Sequence, residues 1–218
     1  MSNMMSSHAA SIPQIRIQSG LRVGVAADLR EGWVDSARQR LASSNVDATE
    51  RDAWLMLAHV VGVDSLGDWA TARQRLRTRG SIDTSATLSW LFAMTAGNAA
   101  PHARTLERLF ARDSSPLAWS LGRDLEARSF LLNGDTATAL ARWDDATRRY
   151  AVLTAPFGLV ASLWPMRRDL VHLAMQRGDT ARVTRACRSF ESIVGFVDQI
   201  VQPDMQRVCA PWRGLRAP

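Results

Sequence analysis

Few side chains in this 218-residue chain are spaced for covalent chemistry. Its histidines, His8, His59, His102 and His172, are scattered. No two stand one helical turn apart and no His-Glu-x-x-His occurs, so the spacing that puts two imidazoles on one zinc ion is missing. Cys187 and Cys209 make no Cys-x-x-Cys. Cys187 falls on an apolar helical face, where a buried core thiol is the default; spacing leaves a disulfide between the two open. Asp144 and Asp145 are a tempting carboxylate pair, but neighbours on a helix diverge by ~100° and do not converge on one ligand. They read as a solvated face. No Gly-x-Ser-x-Gly elbow or phosphate-binding glycine loop occurs. The expectation is therefore a chain without catalytic residues, metal site or cofactor.

Arginine offers binding chemistry instead. Every one of the 27 basic residues is arginine, and the formal charge is +6. Guanidinium groups beside an indole can hold carboxylates by paired hydrogen bonds and stacking. Trp119, Arg123, Arg128, Arg167, Arg168 and His172 are the partner-binding candidates, with Arg167-Arg168 as the favoured contact point. The densest basic run, Arg73, Arg75, Arg77 and Arg79, is spaced by two, which spreads it around a helix and reads as a solvated helix end. Elsewhere arginine alternates with Asp and Glu, as in RWDDATRR, unlike a phosphate track. Nucleic acid is thus disfavoured as a partner, and the high pI follows from arginine's own pKa.

The elements that would position these residues are helices. Tyrosine is nearly absent, β-branched residues do not alternate, and no apolar run reaches the ~18–20 residues of a membrane helix. Residues 1–25 read as a disordered or extended arm without a secretory signal pattern, so a cytoplasmic location is expected. Residues 26–218 read as one helical domain. A first helix is expected from about Asp28 to Ser43, with a stripe of Trp33, Val34, Ala37 and Leu41. A second runs from about Asp47 to Val61 with Asp47 as its cap. Gly67-Asp68 opens a third through Trp69, Ala72 and Leu76, stopped by Gly80. Asp83 or Thr84 caps a fourth holding Leu88, Leu91, Phe92 and Met94, and Pro101 starts a fifth.

The clearest pattern is 117–150, two helices around Asn133-Gly134-Asp135. Gly134 suits positive φ at a helix end, and Asp135 can cap the next helix. The first helix carries Leu121, Leu125 and Phe130 inward. The second buries Ala139, Leu140, Trp143 and Ala146 and shows Arg142, Asp144, Asp145, Arg148 and Arg149 to water. A second pair spans 156–195. Pro165 is expected to kink or split its first helix. Gly178-Asp179 makes its turn, followed by Ala181, Val183, Ala186, Cys187 and Phe190. A last helix is expected to break at Pro211.

The 117–150 segment resembles a tetratricopeptide repeat. Ala127 and Phe130 fall on the small and aromatic positions of the first helix, and Ala139, Trp143 and Ala146 on those of the second. Gly134-Asp135 and Gly178-Asp179 supply the turns. The repeat's closing proline is absent, since Ala151 stands there, and Gly-Asp or Gly-Asn turns at 67, 97, 134 and 178 are irregularly spaced. Residues 134–218, with PFGLVASLWP and GFVDQ, resemble the tetratricopeptide-like tails of some bacterial multidomain regulators, which follow a serine/threonine kinase or a DNA-binding domain. No kinase motif is present here.

The resemblance implies an all-α fold of antiparallel helix pairs stacked as a tetratricopeptide-like α-solenoid. It also implies a non-catalytic module for protein or peptide binding, the partner acidic, in bacterial regulation. The alternatives are a small-molecule sensor with a pocket between helices, or a truncated remnant of a larger regulator. An incomplete last repeat is expected to expose apolar surface near Val201, Val208 and Trp212 and to favour self-association.

Overall fold

The structure, a computed structural model, describes residues 24–25, 27–29, 31–43, 46–80, 86–96, 116–150, 159–193 and 202–214. Among these there are helices and turns and no strand. The Asp83/Thr84 cap, the Gly97-Asn98 turn, the helix from Pro101, Val201 and most of the N-terminal arm lie outside the described residues. The elements are α1 (Val34–Ala42), α2 (Ala48–Val61), a 3-10 turn (Asp64–Leu66), α3 (Trp69–Thr78) and α4 (Ala86–Ala96). They continue as α5 (Pro116–Leu132), α6 (Thr136–Tyr150), α7 (Leu159–Gln176), α8 (Thr180–Ile193) and α9 (Gln202–Gly214). No described helix is long and apolar enough to cross a membrane.

One local device joins the two best-marked helix pairs. At the end of α5, Gly134 N–H donates to Leu131 O at 3.0 Å and Asp135 N–H to Phe130 O at 2.9 Å. At the end of α7, Gly178 and Asp179 repeat this with Met175 O and Ala174 O. This closure needs a left-handed residue, which glycine adopts without a Cβ clash; the φ angles are +79° and +67°. Each aspartate then caps the next helix: Asp135 accepts from Thr138 N–H at 3.0 Å and Asp179 from Arg182 N–H at 2.9 Å. Gly67 works differently. Its φ of 162° is extended, and a Cβ there would meet Leu55 at 2.9 Å. Asp68 still caps α3 through Thr71 N–H.

The N-terminal part departs from expectation. Residues 24–25 and 27–29 are helical, and Val25 and Leu29 are buried, so residues 24–25 do not belong to the expected arm. A turn through Gly32 separates this stretch from α1, which starts at Val34 rather than Asp28. Trp33 falls at that junction and is 61% exposed, outside the stripe assigned to it. Asp47 caps α2 as expected, accepting from Thr49 and Glu50 N–H.

The core is continuous from α2 to α9. A smaller cluster of Val25, Leu29, Ala37, Leu41, Val46, Ala58 and Leu66 lies under α1. Helix α4 buries Leu88, Ser89, Trp90, Leu91, Phe92 and Ala93 in one run, so it is apolar nearly all round, as an internal helix must be. It lies against α2 and α5. Helix α7 touches α2, α5, α6, α8 and α9. Of the expected kink or split at Pro165, the split does not occur: α7 stays one helix. Trp164, Met166, Leu170, Val171 and Ala174 are buried along it, and their burial offsets the ~3 kcal/mol that an interior proline costs.

The C-terminus corrects three expectations. Helix α9 runs through Pro211 without a break. Val208 and Trp212 are buried against α7 and α8 instead of exposed, so neither offers apolar surface for self-association. Cys187 and Cys209 form a disulfide between α8 and α9, so Cys187 is buried but is not a free thiol.

Candidate functional site: buried carboxylates and an arginine-lined cleft

Asp124 is 1% exposed, on the inner face of α5 between Leu121 and Leu125. Its carboxylate accepts from Trp90 Nε1 on α4 at 2.6 Å and from Trp143 Nε1 on α6 at 2.8 Å. Arg128 Nε, one turn along α5, donates at 3.1 Å. Arg128 Nη2 also lies 2.9 Å from Asp169 on α7. Burial works against the Arg128 charge, but the charges of Asp124 and then Asp169 outweigh it, so its pKa sits above the ordinary arginine value. One carboxylate thus ties three helices together and, through Arg128, a fourth. Three donors occupy most of the acceptor sites of this buried carboxylate, which makes it a clamp between helices.

The same device recurs. Asp52 on α2 accepts both Arg75 Nε at 3.0 Å and Arg75 Nη2 at 2.5 Å, and Arg79 Nη1 at 2.9 Å. The hydrogen bond to Asp52 raises the Arg75 pKa. Arg75, Arg77 and Arg79 are exposed, as a solvated helix end should be, but Arg75 and Arg79 also pin α3 to α2, and Arg73 reaches Thr95 on α4 at 3.0 Å. Asp204 on α9 accepts from Trp164 Nε1 at 2.9 Å. Indole-to-carboxylate bonds therefore hold Trp90, Trp143 and Trp164, all buried.

The partner candidates separate into groups with different surroundings. Arg123 lies over the Trp119 ring at 5.2 Å and pairs with Glu126 at 2.6 Å. Arg128 and Arg168 meet around Asp169, Arg168 at 3.3 Å. His172 is exposed. Arg167 does not share that surface. It is 5% exposed, with its guanidinium 5.4 Å from the Phe190 ring centroid. Arg128 is equally committed, to Asp124 and Asp169. The favoured contact point therefore reduces to Arg168.

Arg167 instead lines a cleft of about 150 Å³ between α6, α7 and α8. Asp144, Thr147 and Arg148 come from α6, Leu170 from α7, and Arg185, Ala186, Ser189 and Phe190 from α8. Asp144 is 8% exposed, not part of a solvated face. The reason is its neighbours: Arg185, Arg182 and Arg148 approach it at 3.3, 3.6 and 3.8 Å. No group of three or more His, Cys, Asp or Glu able to hold a metal ion occurs among the described residues.

Sequence reasoning missed Asp124, Asp52 and this cleft. A signal existed for the first: an aspartate inside an apolar stripe, with arginine four residues on. The partners Trp90 and Trp143 are distant in sequence, and no local pattern names them. Comparison with models of known protein families, with curated proteins and with solved structures finds no match for this chain.

Proposed function

We propose that this chain is a non-catalytic helical-repeat module that binds an acidic protein segment, as part of a bacterial regulatory system. The observation that carries the reading is that α5 touches both α6 and α7, while α7 touches α8. If α5–α6 and α7–α8 are successive antiparallel pairs, α5 and α7 are their first helices and lie side by side, as along the groove of a tetratricopeptide-like array. Trp119 and Arg123 on α5, with Arg168 and His172 on α7, supply the cationic and aromatic groups suited to an extended acidic peptide. The contact of α2 with α7 reaches beyond neighbouring pairs, so the array we propose curls back on itself. The regulatory and bacterial parts of the proposal rest on the resemblance of residues 134–218. The cleft between α6, α7 and α8 favours a second reading, a small-molecule sensor.

The test is fluorescence anisotropy with a labelled glutamate-rich peptide. Binding should be saturable and weaken as salt rises. Arg123→Glu with Arg168→Glu should weaken it at least tenfold while leaving the circular dichroism unchanged. Equal binding by wild type and variant would remove this surface from the proposal.

A further inference from the structure

We propose that the cleft between α6, α7 and α8 binds a small organic carboxylate with an apolar body. This goes beyond the partner surface above and uses none of its residues. A volume of about 150 Å³ accommodates a ligand of single-ring size. The lining is mixed: Leu170, Ala186 and Phe190 offer an apolar wall, Thr147 and Ser189 carry hydroxyls, and the rest are charged.

Arg148 and Arg185 line the cleft and share one carboxylate, that of Asp144, and Arg167 lines it as well. Arg182 also approaches Asp144 but is held by Asp179 at 2.6 Å. The carboxylate of Asp144 gathers its arginines without saturating them. Its side-chain contacts with Arg185, Arg182 and Arg148, at 3.3, 3.6 and 3.8 Å, are longer than the ~2.7–2.9 Å of a close charge-assisted bond. Arg167 is a fixed buried cation, stacked on Phe190 with Nη1 3.4 Å from Ser189 Oγ. An incoming carboxylate would take its bonds from Arg148 and Arg185, whose side chains are 67% and 54% exposed and free to adjust. The Arg167 charge and the Ser189 hydroxyl lie beside it, and the ligand's apolar body meets Phe190 and Leu170. Inorganic phosphate would gain the charge but leave the apolar wall unused.

The experiment is calorimetry on the whole chain with benzoate, with benzamide as its neutral counterpart and inorganic phosphate as an anion without an apolar body. Benzoate should bind saturably and raise the Tm, and the other two should bind at least tenfold more weakly. Arg148→Gln with Arg185→Gln should weaken benzoate at least tenfold. Glutamine keeps a side-chain donor near Asp144, so the fold should hold although the unliganded Tm falls with the two lost ion pairs. Should that double variant fail to fold, Ala186→Leu decides: it fills the cleft, keeps every charge, and should abolish benzoate binding. No saturable benzoate binding, benzamide or phosphate binding as tightly, or a folded variant that binds like wild type would each overturn the proposal. None of these results bears on Arg123 or Arg168.

Discussion

Asp124 shows how much one side chain can hold. Replacing it by alanine leaves two buried indole N–H groups and the Arg128 guanidinium without their acceptor. Loss of one member of a buried charged network costs about 3–5 kcal/mol. We expect Asp124→Ala to lose that much in urea unfolding, and Arg168→Glu, on a part-exposed side chain, to lose far less. Asp135 gives a pH-dependent test. Hydrogen bonds from the Thr138 side chain and then its backbone N–H lower the Asp135 pKa below the ordinary 3.8. A carboxylate with a depressed folded pKa stabilises the fold above its unfolded pKa and loses that contribution as pH falls through the folded value. The stability advantage of wild type over Asp135→Asn should therefore be full at neutral pH and shrink as pH drops below about 4. An advantage unchanged at pH 2 would contradict the role of the charge in the cap.

At the scale of elements, the turns and the cross-links obey different rules. Gly134 sits at φ +79°, where a Cβ costs about 1–2 kcal/mol. Gly134→Ala should lower stability by about 1 kcal/mol in the same assay. The disulfide closes a loop from α8 to α9, and by loop-entropy reasoning its loss should cost about 3 kcal/mol. Thermal unfolding of Cys187→Ser with Cys209→Ser measures this. Disulfides are rare in the cytosol, so the bond bears on the expected cytoplasmic location. Alkylation of whole cells before lysis should leave both cysteines unmodified until a reductant is added. Free, alkylated thiols would mean a reduced chain in a reducing compartment.

These elements also show what could be read without coordinates. Gly134-Asp135 and Gly178-Asp179 were legible because closure and capping are local: glycine, aspartate and the apolar period carry them. The small and aromatic residues Ala127, Ala139, Trp143 and Ala146 were legible for the same reason, and all four are buried. Trp33 misled because an aromatic at a helix start looks like one inside the stripe. The charged residues misled because polarity alone suggests water. Asp52, Asp124, Asp144 and Arg167 are buried by partners on other helices, a tertiary fact that no window of sequence contains.

Over the whole molecule, helix α7 is the hub, in contact with five other helices. It presents one side to α5, where Arg168 meets Arg128 around Asp169, and another to α6 and α8, where Arg167 lines the cleft. We propose that the α5–α7 side binds a protein. The most direct measurement is affinity capture from an extract of the source cells, read by mass spectrometry, with wild type and the Arg123→Glu, Arg168→Glu variant side by side. We expect a partner bearing an acidic segment to be retained by wild type and lost by the folded variant. The same proteins captured by both, or none by a wild-type chain shown to be folded, would contradict the claim.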